Sequence, residues 1–168
     1  NLPYYVTTPI VMMFLEGDFP VERMVLMVQK EVAQRMTARP KTSDYGALSV
    51  GIQAAGAAKI MFNVSRNCFI PKPEVDSTVV RIILTDENRK RIIDYKIFHE
   101  CVKAAFSQRR KTMVNSVGNS QVLNIDKQTV KEMLARLGLN EQTRGEELSV
   151  EQFISFSNLV AEMSGKTC

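Results

Sequence analysis

An alternation of helix-like and strand-like segments through the first half of the chain constrains the fold most. Residues 23–28 (RMVLMV) form a continuous apolar run, which predicts a strand that is covered on both faces. The other predicted elements are helices over residues 10–15, 30–38 and 47–55 and strands over residues 59–64 and 78–84. Thr8 and Pro9 are expected to open the first helix as its N-cap and first helical residue. Helices that alternate with strands predict an α/β layer.

The second half of the chain carries only helical patterns. One helical stripe contains Phe98, Cys101, Val102 and Ala105. A second stripe ends before Gly138, and the Ser149–Gln152 segment is a capping box that should open the last helix. We therefore predict an α/β part over residues 1–88, followed by an all-α domain over residues 89–168.

The cysteine and histidine content excludes several kinds of site. The chain has 3 cysteines, Cys68, Cys101 and Cys168, and no two of them show CxxC spacing. His99 is the only histidine. We therefore expect no disulfide framework, no metal site and no Ser-His-Asp hydrolase triad.

The apolar segments of the chain are short. No run of eighteen or more apolar residues occurs, and the first residues lack the basic segment and cleavage site of a secretory signal. We therefore expect a cytoplasmic protein with no membrane partner.

Basic residues are concentrated in one segment near the middle of the chain. Residues 89–111 contain 8 Lys or Arg against 2 acidic residues, whereas the residues from Thr112 onward carry more acidic than basic side chains. A positive stripe beside a more neutral body suits a polyanion such as a nucleic acid. A solvated helix face would show a similar charge pattern.

The first four residues carry a candidate for chemistry. Asn1-Leu2-Pro3-Tyr4 fits the signature of enzymes that methylate exocyclic amines. The adenine amine is a poor nucleophile because its lone pair is delocalised into the ring. The Asn1 amide oxygen and the Leu2 carbonyl can accept its two hydrogens, while Pro3 stiffens the loop and Tyr4 stacks on an extruded base. Taken alone, the four letters fit an ordinary turn after a strand better.

Five further segments follow this motif and complete a recognisable set. The six segments, in order, are NLPY (1–4), QKEVA (29–33), YGALSV (45–50), FIPKPEVDS (69–77), FSQRRKT (106–112) and RGEELS (144–149). Together they closely resemble the small-subunit ribosomal RNA adenine N6,N6-dimethyltransferase family, of the KsgA type. Erythromycin-resistance methyltransferases share segments like the first and the fourth, but the other four are not expected together in them.

The resemblance implies a fold and an activity. The fold would be the C-terminal part of a Rossmann-like class I methyltransferase sheet, with strand order 3-2-1-4-5-7-6, followed by a small helical domain. The activity would be S-adenosylmethionine-dependent N6,N6-dimethylation of two adjacent adenosines near the 3′ end of small-subunit ribosomal RNA. The partner in ribosome biogenesis would be the immature small ribosomal subunit.

The resemblance also implies roles for single residues. Asn1 and Leu2 would hold the amino group within the catalytic motif that continues through Pro3, and Asn1 would lie against the methionyl part of the cofactor. Tyr4 would cover one face of the adenine and Phe69 the other.

The resemblance also implies residues that bind RNA and residues that stabilise the C-terminal segment. Arg109, Arg110 and Lys111 would meet RNA phosphates by charge. Arg144 would form a structural ion pair with Glu146 or Glu147.

Most of a cofactor site is absent from the sequence. A methyltransferase of this class needs a Gly-rich turn after its first strand and an acidic residue at the end of its second, and the 8 glycines form no GxGxxG. We therefore expect a fragment that begins inside the catalytic motif, is inactive alone, and leaves residues 23–28 as a sheet edge prone to self-association.

Three alternatives remain open at this stage. They are a non-catalytic RNA-binding or ribosome-assembly module, an erythromycin-resistance type methyltransferase of large-subunit RNA, and a DNA adenine methyltransferase. Upstream sequence would test the first, and methyl incorporation into DNA against immature small subunits would test the last.

Overall fold

The computed structural model describes residues 3–17 and 19–165, with the side chain of Tyr4 left out. Its helices are α1 (Tyr4–Glu16), α2 (Lys30–Thr37), α3 (Ala47–Ala55), α4 (Tyr95–Ser107), α5 (Met113–Val117), α6 (Lys127–Arg136) and α7 (Val150–Ser164). Its strands are β1 (Arg23–Gln29), β2 (Gly56–Val64) and β3 (Ser77–Leu84). Short 3-10 helices occupy Arg66–Cys68, Arg89–Arg91 and Gly145–Glu147. The predicted α/β part followed by helices is confirmed.

The three strands form one sheet in the order β1-β3-β2. The central strand β3 pairs antiparallel with both neighbours, so β1 and β2 run parallel to each other. This order agrees with strands 5, 7 and 6 of the sheet that the family resemblance implies. Within the described residues β1 is therefore an edge strand, as expected.

One face of the sheet packs against helices, and no helix among the described residues packs on the other. Met24 and Val28 point to the covered face, where they join a core built from α1, α2 and α3. Val25 is 61% exposed and Ile83 is 42% exposed on the opposite face. The prediction that residues 23–28 are covered on both faces is therefore wrong for the part of the chain that the structure describes, because no described element packs on the second face.

The first helix begins earlier than predicted. It starts at Tyr4, after Pro3, and Pro9 lies inside it rather than at its first position. Thr7, Val11 and Leu15 are each at most 1% exposed and follow one another at a spacing of four residues. The buried stripe therefore begins ahead of Pro9, and its packing extends the helix past the residue that local rules favour as the start.

The helical lobe packs around α4 and α7. Its buried core contains Phe98, Cys101, Phe153 and Phe156 together with residues of α5 and α6. The predicted capping box at Ser149 is confirmed, and Gly138 has φ 69° after α6, as a C′ glycine requires. No helix in residues 3–17 and 19–165 is long and apolar enough to cross a membrane. The domain boundary at residue 88 stays a prediction.

The uncovered sheet face leads to a prediction about association. Besides Val25 and Ile83 it carries Phe62, which is 59% exposed, and it also carries the buried Nε of Arg81, which has no hydrogen-bond partner among the described residues. An apolar face beside an open edge strand offers both contacts and backbone groups to a neighbour. We expect the 168-residue chain by itself to self-associate in light scattering.

The substitution pair Val25→Lys and Ile83→Lys should reduce this association, because it places charge on the uncovered face. A matched control is Ile93→Lys with Val122→Lys, two residues that are 62% and 66% exposed elsewhere on the chain. A strictly monomeric parent chain at every concentration, or equal effects of the two pairs, would contradict this role of the sheet face.

Candidate functional site

The predicted site segment that contains Phe69 lies at one edge of the sheet. The strands β1 and β2 both end there, at Gln29 and Val64, and β3 starts there at Ser77. We call it the site edge. The loop of residues 65–76, which contains Phe69, connects β2 to β3 at this edge.

The direction of α1 brings Pro3 toward the site edge as well. The C-terminal end of α1 lies at the opposite edge, where Arg89 donates a hydrogen bond of 3.1 Å to the Gly17 carbonyl. At that edge Leu84 N also donates to the Glu22 carbonyl at 2.9 Å. A helix of 13 residues spans about 20 Å, which is close to the length of β1. The N-terminal end of α1 therefore points to the edge that carries the loop of Phe69.

Of the NLPY motif, the structure describes Pro3 and the backbone of Tyr4. Asn1 and Leu2 lie outside the described residues, so their roles toward the amine and the cofactor stay predictions. Pro3 is exposed and precedes α1, and its carbonyl accepts hydrogen bonds from Val6 N at 3.1 Å and Thr7 Oγ1 at 3.2 Å. Tyr4 is the first residue of the helix. The backbone is extended at Pro3 and helical from Tyr4 onward, so Pro3 leads directly into the N-terminal end of α1.

The loop of residues 65–76 is anchored at its base and exposed at its tip. Arg66 N donates to Asp76 Oδ1 at 2.9 Å, and the Arg66 guanidinium donates to the Glu74 carbonyl at 2.9 Å. Phe69 is half-buried and the next residue, Ile70, is fully exposed. An anchored base with an exposed apolar tip can present Phe69 to a planar ligand, and its predicted role as the second face of the adenine pocket stays a prediction.

A groove that the sequence did not reveal lies at the base of this loop. Its volume is about 450 Å³, within the range of small-molecule sites. It is lined by Gln29, Lys30, Glu31, Gln34, Arg66, Glu74, Val75 and Asp76. The lining comes from the end of β1, the start of α2 and the two ends of the loop, so no single segment carried a signal for it.

The predicted RNA-binding residues follow α4 directly. Residues 108–111, which we call the basic turn, expose Arg109, Arg110 and Lys111. Arg109 Nε lies 3.3 Å from Glu146 Oε2, and its guanidinium also donates to the Ser43 carbonyl. Arg110 and Lys111 form no ion pair within residues 3–17 and 19–165. Two cations of the basic turn are therefore free to meet phosphates, while Arg109 also fastens the turn to its neighbours.

The predicted pairing of Arg144 is wrong. Glu146 pairs with Arg109 instead, and the backbone of Arg144 forms a β-bridge with Thr112. The physical reason is that the 3-10 turn of Gly145–Glu147 packs against α4, which brings Glu146 beside the basic turn. The predicted partners of Arg144 are two or three residues away in sequence, whereas the observed pair, Arg109 and Glu146, is 37 residues apart.

The two lobes are joined by a buried tyrosine. Tyr45 is 1% exposed, and its hydroxyl donates to the Leu148 carbonyl at 2.9 Å. Its ring meets Phe106 edge-on with 6.0 Å between centroids. Burial, and then the negative charge of Glu151, raises the pKa of the Tyr45 hydroxyl above its usual range. The hydroxyl therefore stays protonated and keeps its hydrogen bond at neutral pH.

The described residues do not fit the adenosine part of a methyl donor. Gly51 lies inside α3 and the other glycines are isolated at helix ends or turns, so within residues 3–17 and 19–165 none belongs to a Gly-rich turn between a strand and a helix. No cluster of three potential metal ligands occurs in the same residues. His99 pairs with Glu16 through Nδ1 and Oε1 at 3.0 Å, so it ties α4 to α1.

Comparison with known proteins gives consistent matches. Residues 1–162 match the model of a protein family described as ribosomal RNA adenine dimethylase. A relative from Clostridioides difficile is 49% identical over 160 residues, covering 95% of this chain and 55% of the relative. A relative from Geobacillus kaustophilus is 41% identical over 167 residues, covering 99% of this chain and 57% of the relative. Both are named "Ribosomal RNA small subunit methyltransferase A". The chain thus spans about half the length of the curated relatives it matches.

Solved structures resemble the chain in fold. A dimethyladenosine transferase from Plasmodium falciparum superposes with a TM-score of 0.84 at 23% identity, covering 98% of this chain and 66% of the other. The 23S rRNA methyltransferase ErmE gives a TM-score of 0.61 at 21% identity, covering 95% of this chain and 63% of the other. At these identities the likeness shows a shared fold.

Proposed function

Because the chain belongs to the ribosomal RNA adenine dimethylase family, we propose that the protein containing it dimethylates adenine N6 in small-subunit ribosomal RNA. The targets are two adjacent adenosines near the 3′ end of that RNA, and the reaction takes place in the cytoplasm during ribosome biogenesis. The observation that carries the proposal is the identity of 40–49% to relatives named for the small subunit, which extends over nearly the whole chain. The weaker structural likeness to ErmE makes large-subunit RNA the second candidate substrate.

The residues of the site edge hold and orient the adenine. The Asn1 amide oxygen and the Leu2 carbonyl accept the two amine hydrogens and so aim the nitrogen lone pair at the methyl group. Tyr4 and Phe69 stack on opposite faces of the extruded base, and Pro3 stiffens the loop of the NLPY motif. Support comes from the shared sheet edge that α1 and the loop of Phe69 approach.

The methyl donor is S-adenosylmethionine, which supplies an electrophilic methyl sulfonium when bound. Of this chain, only Asn1 is proposed to touch it, at the methionyl part. The 168 residues alone are therefore expected to bind it poorly and to methylate nothing, because one amide cannot replace a Gly-rich loop and a ribose-binding carboxylate. Calorimetry with the isolated chain tests this, and micromolar affinity would contradict it.

The basic turn binds the immature small ribosomal subunit through its phosphates. Arg110 and Lys111 are exposed and unpaired among the described residues, as a phosphate contact requires. Charge fixes the position of the RNA here, and the site edge then selects the base.

Stacking on Phe69 leads to a testable expectation. Methylation assays require a longer protein, which we call the completed chain. In it, the part of the Clostridioides difficile relative that does not align with this chain is fused in front of Asn1. Phe69→Ala and Tyr4→Ala should each lower kcat/KM about 5- to 150-fold, since stacking contributes ~1–3 kcal/mol per base. Tyr4→Phe should be tolerated because it keeps the ring.

The matched control for Phe69 is Ile70→Ala, which removes the fully exposed neighbour. Full activity of the Phe69→Ala variant would mean that Phe69 only packs at the end of the loop and does not stack on the base. A loss equal to that of Ile70→Ala would assign the effect to the loop rather than to the ring.

The proposed substrate is tested by offering four nucleic acids to the completed chain with labelled S-adenosylmethionine. They are immature small subunits, protein-free small-subunit RNA, large-subunit RNA and double-stranded DNA. Label should enter immature small subunits first. Preference for large-subunit RNA would favour the erythromycin-resistance reading, preference for DNA would favour a DNA adenine methyltransferase, and RNA binding without label would leave a non-catalytic assembly module.

A further inference from the structure

Two cations outside every predicted site lie beside the basic turn. Arg39 and Lys41 belong to the loop of residues 39–44, which connects α2 to α3 in the α/β part, and both are exposed. We call this segment the interlobe loop. Neither side chain forms an ion pair or hydrogen bond within residues 3–17 and 19–165.

Backbone contacts fasten the interlobe loop to the helical lobe. Lys41 N donates to the Glu146 carbonyl at 2.8 Å. The guanidinium of Arg109, in the basic turn, donates to the Ser43 carbonyl. The loop also closes on itself, because Thr42 Oγ1 donates to the Arg39 carbonyl at 2.7 Å. The interlobe loop and the basic turn are therefore held side by side.

The backbone at Lys41 is unusual for a lysine. Its φ is 68°, in the left-handed region that side chains other than those of glycine, asparagine and aspartate rarely adopt. The surrounding hydrogen bonds hold this conformation, and such strained positions concentrate at binding sites.

The local charge balance is positive across both segments. Together with the adjoining residues 144–147, the two segments contain six cations and three acidic residues, a surplus of three positive charges. The cations are Arg39, Lys41, Arg109, Arg110, Lys111 and Arg144, and the acidic residues are Asp44, Glu146 and Glu147. Glu146 is already occupied by Arg109. A rigid, exposed surface with unpaired cations suits a phosphate backbone better than an apolar or acidic ligand.

We propose that Arg39 and Lys41 contact phosphates of the same RNA that the basic turn binds, so that one phosphate-binding surface spans both lobes. The inference rests on the proposed function and adds to it a second set of contacts on the α/β part. Since the site edge belongs to that part, these contacts fix the RNA relative to the adenine pocket and not only relative to the helical lobe.

The test measures how the affinity of the 168-residue chain for a small-subunit 3′ RNA hairpin depends on salt. The variant is Arg39→Gln with Lys41→Asn, because asparagine tolerates the left-handed backbone and both changes remove charge. Loss of two phosphate contacts should reduce the slope of log K against log[salt] by about 1.4 to 1.8. A matched control, Lys127→Asn with Arg136→Gln on α6, removes the same charge elsewhere and should keep the slope.

The outcomes separate the inference from the function on which it rests. A parent chain that binds the hairpin, with an unchanged slope in the loop variant or an equal change in the control, overturns the inference alone. A parent chain without salt-dependent RNA binding overturns both. The loop variant is also combined with Arg110→Gln and Lys111→Gln. The losses of slope should then add, because both segments bind the same RNA. Losses that do not add would show that the two segments do not bind the same RNA together, and would overturn the inference.

Discussion

Replacing Tyr45 by alanine should lower the free energy of unfolding by about 3–5 kcal/mol, as for other large aromatic side chains removed from a core. Tyr45 lies in the α/β part, yet it belongs to the same buried cluster as Phe153 and Leu148 of the helical lobe, and the half-buried Phe106 packs against its ring. Its removal leaves a cavity between the lobes and an unpaired Leu148 carbonyl. Denaturant unfolding measures the loss, and a value below about 1 kcal/mol would show that the lobes do not depend on this contact.

The matched variant Tyr45→Phe separates the hydroxyl from the ring. It keeps the packing but leaves the Leu148 carbonyl without its hydrogen-bond donor, which should lower the free energy of unfolding by about 1–3 kcal/mol. Because burial raises the pKa of Tyr45 above its usual value of 10.0, the hydroxyl contributes stability that is complete below pH 10 and is lost as pH rises further. Stability should thus fall less steeply above pH 10 in Tyr45→Phe. An identical alkaline profile in both proteins would contradict the burial of this hydroxyl.

Replacing Arg109, Arg110 and Lys111 together by alanine should reduce the salt slope of RNA binding by about 2 to 3 units. The reason is that each phosphate contact releases counterions, so a lost cation lowers both affinity and its dependence on salt. Binding at one salt concentration would not distinguish this from misfolding, whereas the slope does. The measurement is a titration of the small-subunit 3′ hairpin at several salt concentrations.

The double variant Arg110→Ala with Lys111→Ala tests the phosphate contacts more specifically than the triple variant. It leaves in place Arg109, which also donates to the Ser43 carbonyl and pairs with Glu146. Its slope should fall by roughly two-thirds as much as that of the triple variant. The exposed pair Lys127 and Arg136 supplies the control again. An unaltered slope in the triple variant would mean that the basic turn is only a solvated face.

Local patterns predicted the elements well where the signal was local. The strand at Arg23–Gln29, the helix at Ala47–Ala55 and the capping box at Ser149 were all found. Each depends on residues within one or two turns of one another, so periodicity and capping chemistry suffice to predict it.

Predictions failed where distant packing decided the outcome. Pro9 is typical of a first helical position and predicts Thr8 as the N-cap of α1, but the helix begins at Tyr4 and the buried side chain of Thr7 lies upstream of both. The sequence predicts an ion pair of Arg144 with Glu146 or Glu147, whereas the packing of Gly145–Glu147 against α4 places Glu146 beside Arg109. Neither outcome could be predicted from a short window.

The candidate site was predictable only in part for the same reason. The motifs that carry Pro3, Tyr4 and Phe69 are recognisable as segments, whereas the direction of α1 and the position of the loop after β2 become known only from the fold. The groove beside Arg66 and the interlobe loop with Lys41 arise from segments that are far apart in sequence, so only the fold reveals them.

The most direct test of the central claim is nucleoside mass spectrometry of small-subunit RNA after reaction with the completed chain. We expect two adjacent N6,N6-dimethyladenosines near the 3′ end, and their loss when Asn1 is replaced by alanine. Methylated cytosine or uracil with the adenines untouched, or dimethyladenosine confined to large-subunit RNA, would contradict the proposed function.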